Sequence, residues 1–186
     1  MNYGLKVSYR SYTSANIGGN SVPFKTSVKY LGVHLDKTLS MQKHISSICC
    51  ASFLELRRIA SIRPYLSQSA AARLVAAMVI SRLDYCNSVF IGLPADQIAR
   101  LQRVKNNAAR LVLKKRRQDH VTPLLKELHW LPVKFRCQYK IATLAYRHFE
   151  GSLPPDLSSS LCTDEPSRSL RSSNEKLLKI PKRNLK

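Results

Sequence analysis

Acidic side chains are scarce in this sequence: 11 Asp and Glu stand against 31 Lys and Arg in 186 residues, a formal charge of +20. A compact body with that imbalance repels itself unless a polyanion neutralises it. Nucleic acid is the first polyanion to expect, and an anionic membrane surface the second. Long apolar runs are missing too. The richest, residues 74–80, lies between Arg73 and Arg82 and falls well short of the roughly 18 residues that a membrane span needs. The first residues lack the apolar core of a secretory signal. A nuclear or cytoplasmic location is expected, without secretion and without a membrane partner. Cysteine is sparse and odd in number: Cys49, Cys50, Cys86, Cys137 and Cys162 have no spacing that suggests a disulfide framework. Buried, inert thiols in a reducing compartment are the expectation.

The residues that usually carry chemistry are also missing. The chain has no Gly-rich phosphate loop and no Asp-Asp pair. His44 lies near Cys49 and Cys50, but no second pair follows at metal-ligand spacing. His120 and His129 flank a short helix and read as capping or packing residues. No surrounding signature favours a Cys–His nucleophile pair. Asp36, the best-placed carboxylate for a metal, has no partner and reads as the residue that opens a turn into the next helix. No catalytic residue, metal or cofactor is expected from this chain.

What is present is enough to build a core, since 44% of residues are apolar. The periodicity predicts a mainly α protein with a short N-terminal antiparallel β hairpin or meander and a loose basic tail. Val7, Tyr9, Tyr12 and Ile17 are β-formers, Gly18-Gly19-Asn20 signals a turn, residues 21–24 suit a return strand, and residues 28–35 alternate imperfectly. From Asp36 the period becomes helical. Residues 41–62 carry Met41, Ile45, Ile48, Phe53, Leu56 and Ile59 near one face, with Ser40 as N-cap and Pro64 as stop. Ser67 or Ser69 caps a second helix running to about Leu83, and Gly92-Leu93-Pro94 breaks the chain before a third. Thr122-Pro123 reads as an N-cap followed by proline at the first helical position. A last helix, residues 133–149, places Phe135, Tyr139, Ala142, Tyr146 and Phe149 on a stripe. The division is 1–36 β segment, 37–118 basic helical region, 119–160 second helical region and 161–186 disordered basic tail.

The third helix is the most informative. At 3.6 residues per turn, Ile98, Leu101, Val104, Ala108, Leu111 and Val112 gather on one side. Arg100, Arg103, Arg110, Lys114 and Arg117 gather opposite them within roughly 100°. Five cations along one rail approximate the spread of phosphates along a strand. Asn106 and Asn107 lie beside the rail as donors to sugar or phosphate oxygens, and Lys115 and Arg116 extend the charge. Any surface helix shows a charged stripe opposite an apolar one. Here no acid falls between Gln97 and Gln118 to pair with the cations, which tips the reading toward phosphate contact with RNA or DNA backbone. Arg57, Arg58 and Arg63 on the first helix, with Arg73 and Arg82 on the second, widen the patch.

Read consecutively, several segments resemble one family. Val28-Lys29-Tyr30-Leu31-Gly32-Val33, followed by Asp36, Leu39-Ser40 and His44-Ile45, resembles the segment just past the polymerase palm in reverse transcriptases of non-LTR (LINE-type) retrotransposons. Arg63-Pro64-Tyr65-Leu66-Ser67 and residues 81–88, Ser-Arg-Leu-Asp-Tyr-Cys-Asn-Ser, resemble the thumb side of the same proteins. Leu101-Gln102-Arg103-Val104, Asn107-Ala108-Ala109-Arg110 and Leu128-His129-Trp130-Leu131-Pro132-Val133 continue the likeness. Pro154-Pro155 with Leu157 and Arg168-Ser169-Leu170-Arg171 carry it into the tail. The likeness covers nearly the whole chain in order and spacing.

That resemblance implies a thumb and post-thumb region that grips a template–primer duplex. The family polymerises through palm aspartates that hold two metal ions, and no segment of this chain matches those motifs or the family's endonuclease domain. The implied palm would precede residue 1 and the magnesium would belong to it. The expectation is therefore a reverse-transcriptase remnant, not an enzyme, that retains sequence-tolerant nucleic-acid binding. Its N-terminal β face would be left open to an intramolecular or protein partner. Two alternatives stand beside it: a helical protein-interaction module, and an inert product of a degenerate element.

Overall fold

A computed structural model describes residues 14–23, 25–163 and 177–179. It is mainly helical, with four short strands at the N-terminal end. Val7, Tyr9, Tyr12, Phe24 and residues 168–171 lie outside the described residues.

The N-terminal strands form two separate two-stranded antiparallel sheets: β1 (Ser14–Ile17) with β2 (Asn20–Pro23), and β3 (Ser27–Tyr30) with β4 (Val33–Asp36). Gly18 and Gly19 join the first pair at φ values of 57° and 84°, the two left-handed residues that a tight hairpin turn requires. In the second pair Val28 faces Leu35 and Tyr30 faces Val33. Strand β4 packs on the first helix and buries Val33, whereas Val28 and Tyr30 on β3 are 51% and 64% exposed. The apolar face of this hairpin therefore runs past the helix beneath it.

Helix α1 (Gln42–Ile62) buries Ile45, Ile48, Leu56 and Ile59, the face that its periodicity marks. Its entrance keeps the expected Ser40 only as a weak cap, its Oγ accepting from the Gln42 N–H at 3.4 Å. The residue before the helix is Met41 in left-handed conformation, with no side-chain cap. Asp36 organises the approach instead: its carboxylate accepts from the N–H groups of Thr38, Ser40 and Met41 and from the hydroxyls of Thr38 and Ser40. Those bonds hold the Asp36 pKa down at about 2.

Ser67 caps α2 (Gln68–Val75) by accepting from the Ala70 N–H at 3.2 Å. A π-helical turn (Ala76–Ile80) leads without a break into α3 (Ser81–Asp84), a widening of the helix that apolar periodicity does not reveal. Helix α4 (Ala95–Leu113) crosses the middle of the molecule and packs on α1, α2 and α6. Leu101, Val104, Ala108 and Val112 are fully buried there.

Helix α5 (Val121–Glu127) begins earlier than expected, with His120 at its N-cap and Thr122-Pro123 inside the first turn. Proline is tolerated at that point because the first N–H groups of a helix have no intrahelical acceptor. Leu124, Leu125 and Ala109 form a small second core roofed by Trp130. Helix α6 (Val133–Phe149) follows, then α7 (Pro155–Ser158). The buried positions of α6 are Val133 and Cys137. Phe135, Tyr139 and Tyr146, three members of the stripe that the spacing marks, are exposed. In the tail, Thr163 and Leu178 form an isolated antiparallel bridge. The five cysteines are free, and Cys49 and Cys137 are buried. No helix among the described residues is long and apolar enough to cross a membrane.

Candidate nucleic-acid interface

Helices α1 and α4 run side by side in the same direction. Ser46 near the start of α1 meets Arg100 near the start of α4, and Arg63 just past the end of α1 meets Leu111 and Val112 near the end of α4. Along this seam α4 presents Arg103 and Asn107, both exposed. The seam opens at its C-terminal end into a groove of about 540 Å³. Asn107, Arg110, Lys114, Lys115 and Arg117 supply its polar rim, over a floor of Ala60, Arg63, Pro64 and Leu111.

The way α4 ends explains this convergence. The helix stops at Leu113, so Lys114 to Arg117 do not continue the straight rail. Lys114 takes φ 52°, ψ 39°, and its N–H donates to the carbonyls of Arg110 and Leu111. The Lys115 N–H donates to the Arg110 carbonyl at 2.9 Å. This is the Schellman arrangement, usually built on glycine, here with lysine at the left-handed position. The chain then turns through residues 116–119, where the Asp119 carboxylate accepts from the Arg116 N–H at 2.7 Å. That reversal brings Lys115 and Arg117 to the groove that Arg110 already lines.

The other expected residues are placed differently. Arg63 is 7% exposed. Its guanidinium donates to the carbonyls of Leu111 (3.0 Å), Val112 (2.6 Å) and Leu66 (2.7 Å). It therefore satisfies the open carbonyls at the end of α4 rather than standing on the surface. Arg100 is half-buried and donates to Ser46 Oγ (2.8 Å) and Gln97 Oε1 (3.2 Å), tying the two helices together. Asn106 accepts from Gln102 Nε2 (2.7 Å), while Gln102 Oε1 accepts from the Val133 N–H (2.8 Å). Asn106 thus belongs to the link between α4 and α6, beside the rail but turned from it. Arg58 pairs with Glu55 at 3.2 Å, and Arg82 approaches the same oxygen at 3.6 Å. Arg57, Arg73 and Arg116 are exposed.

Charge at the groove is nearly all of one sign. Arg110 is held by a bond from Nη2 to the Asp119 carbonyl at 3.1 Å, and its buried Nε has no partner among the described residues. Asp119 is the one acid drawn into this turn, and sequence reading passed over it. No local signal marked it: an Asp usually opens a turn by accepting from an N–H two residues on, whereas Asp119 accepts from Arg116, three residues before it. The cations sit at the C-terminal end of α4, where the helix dipole favours them and disfavours an anion. Attraction for an anion there rests on side chains alone. Nearer the start of α4, burial pushes the Cys49 thiol pKa up, and Arg100 and Arg103 pull it the other way. The arrangement offers charge-assisted donation to anionic oxygens.

Sequence reading also missed Lys105. It lies on the buried side of α4 and is 2% exposed. Burial lowers its pKa to about 8, while the neighbouring Asp84 opposes that shift. Asp84 is already paired with Arg136 at 2.6 Å. Nothing in the one-dimensional pattern distinguishes this lysine from the exposed cations, except its position between apolar neighbours on the helical wheel. Among the described residues no group of three or more His, Cys, Asp or Glu could hold a metal ion. Comparisons with protein-family models, with curated proteins and with solved structures found no match to this chain.

Proposed function

We propose that this protein binds nucleic acid through its phosphates, without sequence preference, along the α4 rail and the groove at its end. The observation that carries the reading is the convergence of Arg110, Lys114, Lys115 and Arg117 with Asn107 around one open groove, in a chain of charge +20. Arg103 extends the same exposed stripe toward the start of the helix. Phosphate contacts of this kind fix orientation on a strand and carry no sequence information. The resemblance to the thumb of non-LTR retrotransposon reverse transcriptases supports a double-stranded template–primer as the ligand, and this identity is part of the proposal.

The test is binding of a short duplex across a salt series. Affinity should fall steeply with salt, because each neutralised phosphate releases counterions and adds roughly 0.9 to the log–log slope. Replacing Arg103, Arg110, Lys114 and Arg117 together with Ala should weaken binding and flatten the slope by up to about 3.6, because as many as four phosphates would keep their counterions. An unchanged slope would remove α4 from the interface. One observation favours a second reading, a protein-docking module: the exposed apolar edge of the β3–β4 hairpin, where Val28, Tyr30 and Leu31 are 51%, 64% and 73% exposed. A specific oligomer or complex that survives high salt would favour it.

A further inference from the structure

Helix α6 turns its aromatic residues away from the protein. Val133 and Cys137, its buried positions, lie across the helical wheel from Phe135, Tyr139, Ala142 and Tyr146. Phe135, Tyr139 and Tyr146 are 54%, 61% and 64% exposed. Scattered exposed rings need no explanation, but three aligned on one rigid helix do. Each has a cation beside it in sequence: Lys134, Lys140 and Arg147, all exposed. Residues 133–149 contain no Asp or Glu, although Glu150 follows Tyr146 by one turn and Asp84 pairs with Arg136. Aromatic faces beside cations are the combination that holds single strands: bases stack on the rings while Lys and Arg follow the backbone.

We propose that this outer face of α6 is a stacking platform for the bases of single-stranded nucleic acid, with Lys140 and Arg147 taking phosphates of the same strand. The inference rests on the nucleic-acid reading above but concerns another surface. Helix α6 joins α4 through the Gln102–Val133 hydrogen bond, on the side of α4 away from Arg103. The spacing selects the ligand. From Phe135 to Tyr146 the helix rises about 16 Å, the length of about five nucleotides in a stacked strand. Phe135 and Tyr139 are about 6 Å apart along the axis, wider than the roughly 3.4 Å step between stacked bases. A strand must splay its bases to meet these rings, which a paired duplex cannot do.

The experiment uses the full chain and fluorescence anisotropy with three labelled probes: a 12-nucleotide pyrimidine strand, its abasic counterpart, and a duplex. The variant is Phe135→Leu/Tyr139→Leu/Tyr146→Leu, which keeps apolar bulk and removes the ring faces. Since these side chains are exposed, circular dichroism should match the parent. The variant should bind the pyrimidine strand at least about tenfold more weakly and the duplex unchanged. The parent should bind the abasic strand about as weakly as the variant binds the normal one. The proposal is overturned if the variant keeps its single-strand affinity, or if the abasic strand binds the parent as well as the normal strand does. It is also overturned if light scattering shows concentration-dependent self-association that the leucine variant abolishes, since the rings would then serve a second copy. Loss of duplex binding by the parent itself would instead sink the α4 reading, so the two failures are distinguishable.

Discussion

Replacing Lys114 with Gly should make the protein more stable and a poorer binder at once. Lys114 is held at φ 52°, in the left-handed region where an L side chain costs roughly 1–2 kcal/mol. Glycine removes that strain, while its freer unfolded chain takes back about 0.4–1 kcal/mol. The net gain is roughly 0.5–1 kcal/mol, or about 1–4 °C in Tm for a chain of this size. The backbone bonds of the motif, from the Lys114 and Lys115 N–H groups to Arg110 and Leu111, do not depend on the side chain and should persist. The same change deletes one cation from the groove and should reduce the log–log salt slope of duplex binding by about 0.9. Thermal denaturation and a salt titration of the same preparation read both effects. A lower Tm would refute the account of the helix end. A higher Tm with an unchanged slope would show that Lys114 makes no phosphate contact.

Lys105→Met should raise stability at neutral pH by roughly 3–4 kcal/mol, because a pKa lowered from 10.5 to about 8 represents about 1.36 kcal/mol per unit of penalty on the charged form. The sign follows from proton binding. Between pH 8 and 10.5 the unfolded chain holds a proton on this lysine that the folded protein has released, so its penalty fades as pH rises through that window. The gain from Lys105→Met in urea denaturation should shrink in parallel, and a constant gain from pH 7 to 10.5 would argue against a buried charge. Arg63→Ala should cost roughly 2–4 kcal/mol, since bonds from a charged donor are worth about 1.5–3 kcal/mol each and do not sum. Arg63→Lys should restore little of it, because a single ammonium cannot reproduce the guanidinium fork that spans Leu111 and Val112. Full rescue by lysine in a thermal scan would contradict the capping role.

Local rules made much of the helical architecture legible. The apolar repeat of α1 and α4, the Gly92-Leu93-Pro94 break and the Ser67 cap depend on short-range sterics and hydrogen bonds, and each stands in the structure as the sequence suggested. The grouping of cations after Gln97 was equally visible. Two kinds of feature were hidden. Helix ends shift by a residue or two when a competing cap exists, as when Asp36 rather than Ser40 gathers the N–H groups before α1. The fate of any one cation depends on which helix lies beside it. Arg63 and Arg103 look alike in sequence, yet one is locked onto carbonyls 48 and 49 residues away and the other stands in solvent.

The sequence alone determined the charge imbalance, the helical periods and the alternation of cationic and apolar faces on α4, because these depend only on residue type and spacing. Tertiary structure decided which cations remain available. Placing α1 beside α4 consumed Arg63 and Arg100, and the left-handed turn at Lys114 brought Lys115 and Arg117 round to Arg110. It also decided that the aromatic stripe of α6 faces outward, since the contacts of Val133 and Cys137 fix the rotation of that helix. The physical reason is common to the first and the last. A helical wheel gives the angles between side chains, but only packing against neighbours sets which angle is buried.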